Sequence, residues 1–292
     1  MTRANGVDIA SYHCNPDMDI LLSKVDFFIH RYSIGIYKDK EVAKNWEAIK
    51  DFPVRGLYHV PFKYEIASKD KQKAHIRAAL ALNPTLPLIL DVEVLDKVYI
   101  SHVFELGMYI FTKSGKYPII YTRAEFWNKN MWRFANASHQ DFFSKCKLWV
   151  AQYKTDAPDP TAPWGDNWTF WQHGIAIHED AAEYGVIPWQ AKSIDENVYK
   201  GTIDELHAEF LSGEVPPDPP VPPAPQDEYV RVVGCDFLSF RNRPVTYPGD
   251  RPGINPRTRD RIKVLKREDG WLYVELSGGD KGWIWGMYTV EA

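Results

Sequence analysis

The chain has 292 residues, 45% hydrophobic and 25% charged, which fits a globular protein with one large and one small domain. Its net charge of −4 argues against a general nucleic-acid binder, and no apolar run is long enough to insert into a membrane. The three cysteines, Cys14, Cys146 and Cys235, are far apart and show no CxxC spacing. We therefore expect no disulfide framework, no metal and no other cofactor.

Segments typical of strands and helices alternate along the first two thirds of the chain. Helical patterns cover Lys40–Lys50, Lys69–Leu82 and Ile100–Ser114. Strand-like apolar runs cover Gly6–Tyr12, Asp26–Ser33, Val54–Val60, Leu86–Glu93, Tyr117–Arg123, Leu148–Tyr153, Thr169–His173 and Ile194–Tyr199. This alternation predicts an α/β fold, a TIM-like (β/α) barrel, and the scarcity of helices after residue 150 predicts an irregular second half.

Two carboxylates end the fourth of these strands. Side chains alternate along a strand, so Asp91 and Glu93 point the same way. Desolvation and mutual repulsion would make at least one of them hold a proton near neutral pH. An isolated Asp-x-Glu is more often a solvated strand cap. However, Asp8 and Asp195 also lie at or near strand ends, and the carboxyl ends of barrel strands carry the active site. Four converging acids favour glycosidic bond cleavage, which requires a proton donor beside an ionised carboxylate.

A proline-rich stretch separates this region from the end of the chain. Residues 213–226 hold seven prolines between Pro216 and Pro225, which predicts an extended polyproline linker. Short β-rich pieces separated by turn residues follow it, a pattern typical of a small all-β barrel domain. The predicted organisation is a barrel over 1–212, a linker over 213–226 and a small domain over 227–292.

The first region resembles glycoside hydrolase family 25, the Chalaropsis-type lysozymes or N-acetylmuramidases. The motifs that carry the resemblance are Gly6-Val7-Asp8-Ile9-Ala10-Ser11-Tyr12, Gly56-Leu57-Tyr58-His59, Leu90-Asp91-Val92-Glu93, Leu148-Trp149-Val150-Ala151-Gln152-Tyr153, Trp171-Gln172 and Ile194-Asp195. They occur in the family's order and cover roughly residues 5–210.

The resemblance implies a role for each acid. Glu93 would protonate the leaving oxygen, and Asp91 would either stabilise the transition state or orient the substrate's acetamido group. Asp8 and Asp195 would line the groove and tune the pair, with Glu196 as a rival to Asp195. The attacking species would be either water or the substrate's own acetamido oxygen.

The resemblance also implies a set of side chains that shape the sugar subsites: Tyr58, Tyr121, Trp149, Trp171 and Gln172. For the aromatic members, packing inside the barrel is the alternative role. The loop 156–168, rich in Pro, Asp and Trp, could contact glycan or peptide stem, but a solvated loop is the default interpretation.

The end of the chain resembles a bacterial Src-homology-type cell-wall-binding domain. The resemblance rests on Leu238–Pro244, Ile262–Leu265, Gly270–Val274 and Gly282–Ile284. The copy is divergent around Asn242 and Arg243, where the family usually has a small residue and Gly.

Together these features predict a monomeric, modular peptidoglycan hydrolase that acts on bacterial peptidoglycan. It would cleave the β-1,4 bond from N-acetylmuramic acid to N-acetylglucosamine. No signal peptide precedes the first strand, so we expect a phage or prophage endolysin, held in the host bacterial cytoplasm until lysis and then acting at the cell wall. The alternatives are another N-acetylglucosamine-polymer glycosidase and a non-catalytic cell-wall-binding protein.

Overall fold

The protein divides into two units. The structure, a computed structural model, describes residues 2–11, 16–94, 98–153, 155–177, 179–186, 193–211, 228–232, 240, 256, 260–268, 271–285 and 289–291. Residues 1–217 form one compact unit and residues 218–292 form the other. The predicted linker at 213–226 lies outside the described residues, and so does the end of the first predicted strand at Tyr12.

The first unit is built from nine strands and eight helices among its described residues. The strands are β1 (Asn5–Ile9), β2 (Phe27–Ile34), β3 (Tyr37–Lys38), β4 (Arg55–Val60), β5 (Ile89–Asp91), β6 (Ile119–Thr122), β7 (Lys147–Ala151), β8 (Phe170–Ile177) and β9 (Ser193–Tyr199). The helices are α1 (Met18–Leu22), α2 (Val42–Ala48), α3 (Lys69–Leu80), α4 (Ile100–Ser114), α5 (Ala124–Asn130), α6 (Ala137–Ser144), α7 (Glu179–Ala182) and α8 (Ile203–Leu211).

Eight of these strands close into a barrel, which confirms the predicted fold. Going round it, β1, β2, β4, β5, β6, β7 and β8 are parallel neighbours, and β9 completes the circle by pairing with both β8 and β1. β9 runs antiparallel to both of them. The barrel is therefore irregular in its second half, as the scarcity of helices there predicts.

Alternation along the strands creates two apolar layers. Inward side chains such as Phe27, Ile89 and Phe170 fill the barrel, and outward ones such as Leu57 and Leu90 pack under the helices. The tight interior explains one glycine: a Cβ atom on Gly6 would overlap the ring of Phe27. Among barrel strands, β5 is short and stops at Asp91, so its acid lies at the mouth of this packed interior.

A loop takes the place of a covering helix outside β7 and β8. Trp164 and Trp168, within the predicted loop 156–168, pack with Leu148, Val150 and Trp171 on the outer face of these strands. The indole Nε1 of Trp164 also donates to the carbonyl oxygen of Cys146 at 2.7 Å. The interpretation of a solvated loop is thus wrong for its tryptophans, because the sheet beneath them is apolar and needs a cover.

The second unit is an antiparallel sheet. Its strands are β10 (Glu228–Val232), β11 (Arg261–Glu268), β12 (Trp271–Glu275), β13 (Lys281–Trp285) and β14 (Thr289–Glu291), in the order β13-β12-β11-β10-β14. Its small core includes Val230, Ile262, Leu272, Val274 and Ile284. The predicted all-β character is confirmed.

Candidate active site

Four carboxylates meet at one end of the barrel. Asp8 lies near the end of β1, Asp91 ends β5, and Glu93 follows it two residues later. Asp195 lies near the start of β9, but β9 runs the other way, so its start is at the carboxyl end of the other strands. Asp8 interacts electrostatically with Glu93, Asp91 and Asp195. The barrel thus brings all four predicted acids together.

Burial sets the protonation of three of these acids. It raises the pKa of Asp8 to about 6, although Asp8 accepts hydrogen bonds that favour its charged form. Burial and the charges of Asp8 and Glu93 raise the pKa of Asp195 to about 8. Burial, Glu93 and Asp8 raise the pKa of Asp91 well above its usual range. At neutral pH, Asp8 is therefore mostly ionised and Asp195 mostly protonated, and the pKa of Asp91 is shifted in the same direction as that of Asp195.

The backbone beside Asp91 is tied to β6, and the Asp91 carboxyl group has a buried oxygen without a described hydrogen-bond partner. The backbone N–H of Val92 donates to the Tyr121 carbonyl oxygen at 2.8 Å, and the Thr122 hydroxyl donates to the Val92 carbonyl oxygen at 2.6 Å. These bonds fix the end of β5. The buried Oδ1 of Asp91 has no hydrogen-bond partner among the described residues. A buried polar atom of this kind costs free energy unless a ligand binds it.

Glu93 faces an open cavity of about 470 Å³. The guanidinium Nε of Arg123 lies 3.7 Å from Glu93 Oε2, and Arg123 Nη2 donates to the Glu93 carbonyl oxygen at 3.4 Å. Burial raises the pKa of the Glu93 carboxyl, and the positive charge of Arg123 opposes that rise. The other lining residues are Tyr121, Ala124, Glu125, Ala151, Gln152, Tyr153 and Asp159. A carboxylic acid that retains its proton beside an open cavity can act as a general acid.

Two buried amides hold Asp8. The Nε2 of Gln172 and the Nδ2 of Asn197 each donate to Asp8 Oδ2 at 2.8 Å. The hydroxyls of Tyr121 and Tyr153 both donate to Gln172 Oε1, at 2.9 and 2.6 Å. The predicted residues Tyr121 and Gln172 therefore do reach the acid cluster.

The other predicted aromatic side chains are packed against their neighbours and are less accessible to a sugar. Trp149 is only 1% exposed and Tyr58 only 5%, with their rings in edge contact inside the barrel, 6.4 Å between centroids. Trp171 points to the other side of β8 from Gln172, where it packs under Trp168, 5.8 Å between centroids. Trp171 therefore lies on the outer face of β8, where packing is its observed role, because neighbouring residues on a strand face opposite ways.

Three residues that contribute to the site were not predicted from the sequence. Asn197 could have been predicted, because it lies two residues from Asp195 and so shares its face of β9. Arg123 and Arg31 gave no such signal. Arg31 is paired with the buried Asp39, Nη2 to Oδ2 2.8 Å, and its charge opposes the rise in the pKa of Asp91.

The rival carboxylate Glu196 points away from the cluster. It accepts a hydrogen bond from the Tyr184 hydroxyl at 2.9 Å. Within the described ranges, no group of three or more His, Cys, Asp or Glu side chains is placed to hold a metal ion. No helix in those ranges is long and apolar enough to cross a membrane.

Comparison with known proteins gives one family. The sequence profile of glycosyl hydrolases family 25 matches residues 2–178. The uncharacterised protein YegX of Escherichia coli K12 is 27% identical over 180 residues, 60% of this chain and 58% of YegX. The chain thus matches little more than half the length of that curated relative.

Solved structures share the barrel. A bacterial lysozyme from Streptomyces coelicolor superposes with a TM-score of 0.57 at 20% identity, over 73% of this chain and 99% of that one. A family 25 lysozyme from Aspergillus fumigatus gives 0.56 at 19% identity, over 72% and 99%. The catalytic domain of endolysin ply40, from a bacteriophage of Listeria monocytogenes, gives 0.50 at 19% identity, over 70% and 97%. With a profile match over more than half of its residues, the chain belongs to glycosyl hydrolase family 25.

Proposed function

We propose that the first unit is a lysozyme, an N-acetylmuramidase that cleaves the β-1,4 bond from N-acetylmuramic acid to N-acetylglucosamine in peptidoglycan. The observation that carries the proposal is the difference in protonation among the acids of the cluster. Asp8 is ionised at neutral pH, Asp195 keeps its proton, and the pKa values of Asp91 and of Glu93, which faces the open cavity, are raised. Glycoside hydrolysis requires carboxyl groups in different protonation states.

In this mechanism Glu93 donates its proton to the leaving oxygen as the glycosidic bond breaks. Burial raises the pKa of Glu93 and so helps it to keep that proton until the transition state, whereas the charge of Arg123 opposes the rise. Asp91, whose Oδ1 has no hydrogen-bond partner among the described residues, either stabilises the transition state or orients the substrate's acetamido group. The attacking oxygen comes either from water or from that acetamido group.

The test is product analysis. Purified protein is incubated with purified bacterial cell walls, and the released fragments are separated by mass spectrometry after borohydride reduction. A muramidase leaves reduced N-acetylmuramic acid at the new ends. Reduced N-acetylglucosamine, or cleavage of chitin oligomers only, would replace this proposal with another N-acetylglucosamine-polymer glycosidase. Absence of any release would favour a non-catalytic wall-binding protein.

We further propose that the second unit binds the cell wall and that the whole protein is an endolysin, released from the cytoplasm of the host at lysis. The separate second unit supports this, and the catalytic domain of endolysin ply40 shares the fold. On the outer side of the sheet, Lys266, Tyr273 and Trp283 are paired in a row across β11, β12 and β13. The two rings lie 5.1 Å apart, and Lys266 Nζ is 5.6 Å from the Trp283 ring. Aromatic faces beside a cation suit a polar, anionic polymer.

Wall binding is tested in the full-length protein. We expect Tyr273→Ala combined with Trp283→Ala to reduce co-sedimentation with intact walls and leave cleavage of soluble glycan fragments unchanged. Tyr37→Ala, which removes a 69% exposed aromatic ring from the first unit, is the matched control. Undiminished sedimentation of the double variant would refute a binding role for this row. A fragment of residues 1–212 should also cleave soluble glycan but act more slowly on intact cells, because tethering raises the local concentration of substrate.

A further inference from the structure

Asn197 has only one orientation that satisfies its neighbours. Its Oδ1 accepts a hydrogen bond from the indole Nε1 of Trp149 at 2.8 Å, and its Nδ2 donates to Asp8 Oδ2 at 2.8 Å. An indole nitrogen can only donate, so the oxygen of the Asn197 amide must face Trp149. The amide nitrogen is then turned towards Asp8. Asn197 and Trp149 are each 1% exposed, so water does not compete for these bonds.

Gln172 is oriented in a similar way from the other side. Two phenol hydroxyls, those of Tyr121 and Tyr153, donate to its Oε1. The Nε2 of Gln172 is therefore also turned towards Asp8 Oδ2. Two N–H donors converge on one carboxylate oxygen, and such donors stabilise the ionised form of a carboxyl group.

The ionisation of Asp8 affects several other ionisable groups that surround it. The ionisable groups that interact with it are Asp91 and Glu93 at the end of β5, Asp195 on β9 and Tyr121 on β6, while Arg31 on β2 acts on Asp91. Asp91 receives no donor at its buried Oδ1 from any described residue. The cluster therefore offers oriented donors to Asp8 and none to that atom of Asp91.

We propose that Asn197 is a positioning residue that favours the ionised form of Asp8 in the acid cluster, and that Trp149 acts through Asn197 by holding its amide in the required orientation. Trp149 thus has a role other than contact with sugar. The catalytic meaning of this arrangement rests on the proposed function, since the charge on Asp8 raises the pKa of Asp91 and of Asp195 beside it. The location of the charge itself does not depend on substrate.

The test is a titration of Asp8 in the full-length protein. Aspartate is labelled with carbon-13 at its side-chain carboxyl, and Asp8→Asn identifies the Asp8 resonance. In the wild type we expect a midpoint at a pH of about 6. Asn197→Ala should raise that midpoint by about one pH unit, because a hydrogen bond to a charged group changes its ionisation constant by about tenfold. Trp149→Phe should raise it less, since the amide remains but can turn.

The control is Asn45→Ala. Asn45 lies on α2 and is an equally buried amide, 2% exposed, whose Nδ2 is 3.0 Å from the Nε2 of His30. The Asn45→Ala substitution should leave the titration midpoint of Asp8 unchanged. If Asn197→Ala and Trp149→Phe both fold and the titration midpoint of Asp8 is unchanged in both, the two residues serve only packing and the proposal is wrong. If Asn197→Ala does not fold, Trp149→Phe decides alone. A wild-type protein that cleaves no wall would overturn the proposed function without moving these midpoints.

Discussion

Asp8 and Asp195 lie directly opposite each other on the antiparallel strands β1 and β9. Two like charges in such a position repel, and the structure avoids this because Asp195 retains its proton, with a pKa raised to about 8. An ordinary aspartate ionises near pH 4, so the unfolded chain loses this proton at a lower pH than the folded chain does.

This arrangement predicts that Asp195→Asn stabilises the protein. Between about pH 4 and about pH 8 the folded protein binds a proton that the unfolded chain has released, so the contribution of Asp195 to stability falls as pH rises. The gain in melting temperature of Asp195→Asn over wild type should therefore be larger at pH 8 than at pH 5. Glu196→Gln, on the opposite face of the strand, is the control and should show no such trend. A gain that is equal at both pH values would contradict the protonation assigned to Asp195.

We expect Glu93→Gln to lower wall hydrolysis by about 10²- to 10⁴-fold, because the amide has the shape of the acid but cannot deliver its proton. The measurement is the rate of turbidity loss of a wall suspension, with a thermal melt to verify folding. Glu125→Gln is a matched control, since Glu125 lines the same cavity but is paired with Lys129, 2.7 Å. Comparable losses in both variants would show that the cavity, rather than the Glu93 proton, had been disturbed.

Arg123→Gln should move the alkaline limb of the activity profile to higher pH. The charge of Arg123 lowers the pKa of Glu93, so its removal lets Glu93 keep its proton to a higher pH. The shift should be only a few tenths of a pH unit, because the Arg123 side chain is 58% exposed and water screens the pair. The measurement is kcat/KM on soluble glycan fragments from pH 4 to pH 9. A shift towards lower pH would show that Glu93 is not the group that titrates there.

Neighbouring substitutions on β8 should separate stability from catalysis. Trp171→Ala removes an indole from the outer face and should cost about 3 kcal/mol of unfolding free energy, with little change in kcat of the folded fraction. Gln172→Ala removes a donor to Asp8 and should reduce kcat, most strongly below pH 6. Denaturant unfolding and initial rates measured on the same samples give both quantities. Loss of kcat in folded Trp171→Ala would place the indole in the site after all.

The sequence predicts those elements of the fold that have a clear local residue pattern. Every barrel strand was predicted, because each is an apolar run bounded by turn residues, and α4 was predicted at Ile100–Ser114 as observed. The direction of β9 was not predictable, since an apolar run carries no sign of which way its neighbour runs. That direction alone explains why Asp195 reaches the cluster from the start of its strand.

The site was only partly predictable for a related reason. Acids in an apolar strand are conspicuous because their burial is costly, whereas an amide such as Asn197 is not. Strand alternation would have separated Trp171 from Gln172, but the family resemblance grouped them. The orientation of Asn197 depends on Trp149, two strands away in the barrel, and no local pattern records that contact.

The segment between β7 and β8 lines the cavity with its first part and covers the outer face of the barrel with its second part. Asp159 lines the cavity beside Glu93, and Trp164 is anchored to the Cys146 carbonyl and lies against Trp127, 5.4 Å between centroids. Because the anchor comes after the lining residue, a change of charge at Asp159 should alter the cavity while Trp164 still covers the outer face of β7. The backbone N–H of Asp159 donates to Gln152 Oε1 at 2.7 Å, so side-chain substitutions at Asp159 should be tolerated better than changes in the length of the loop.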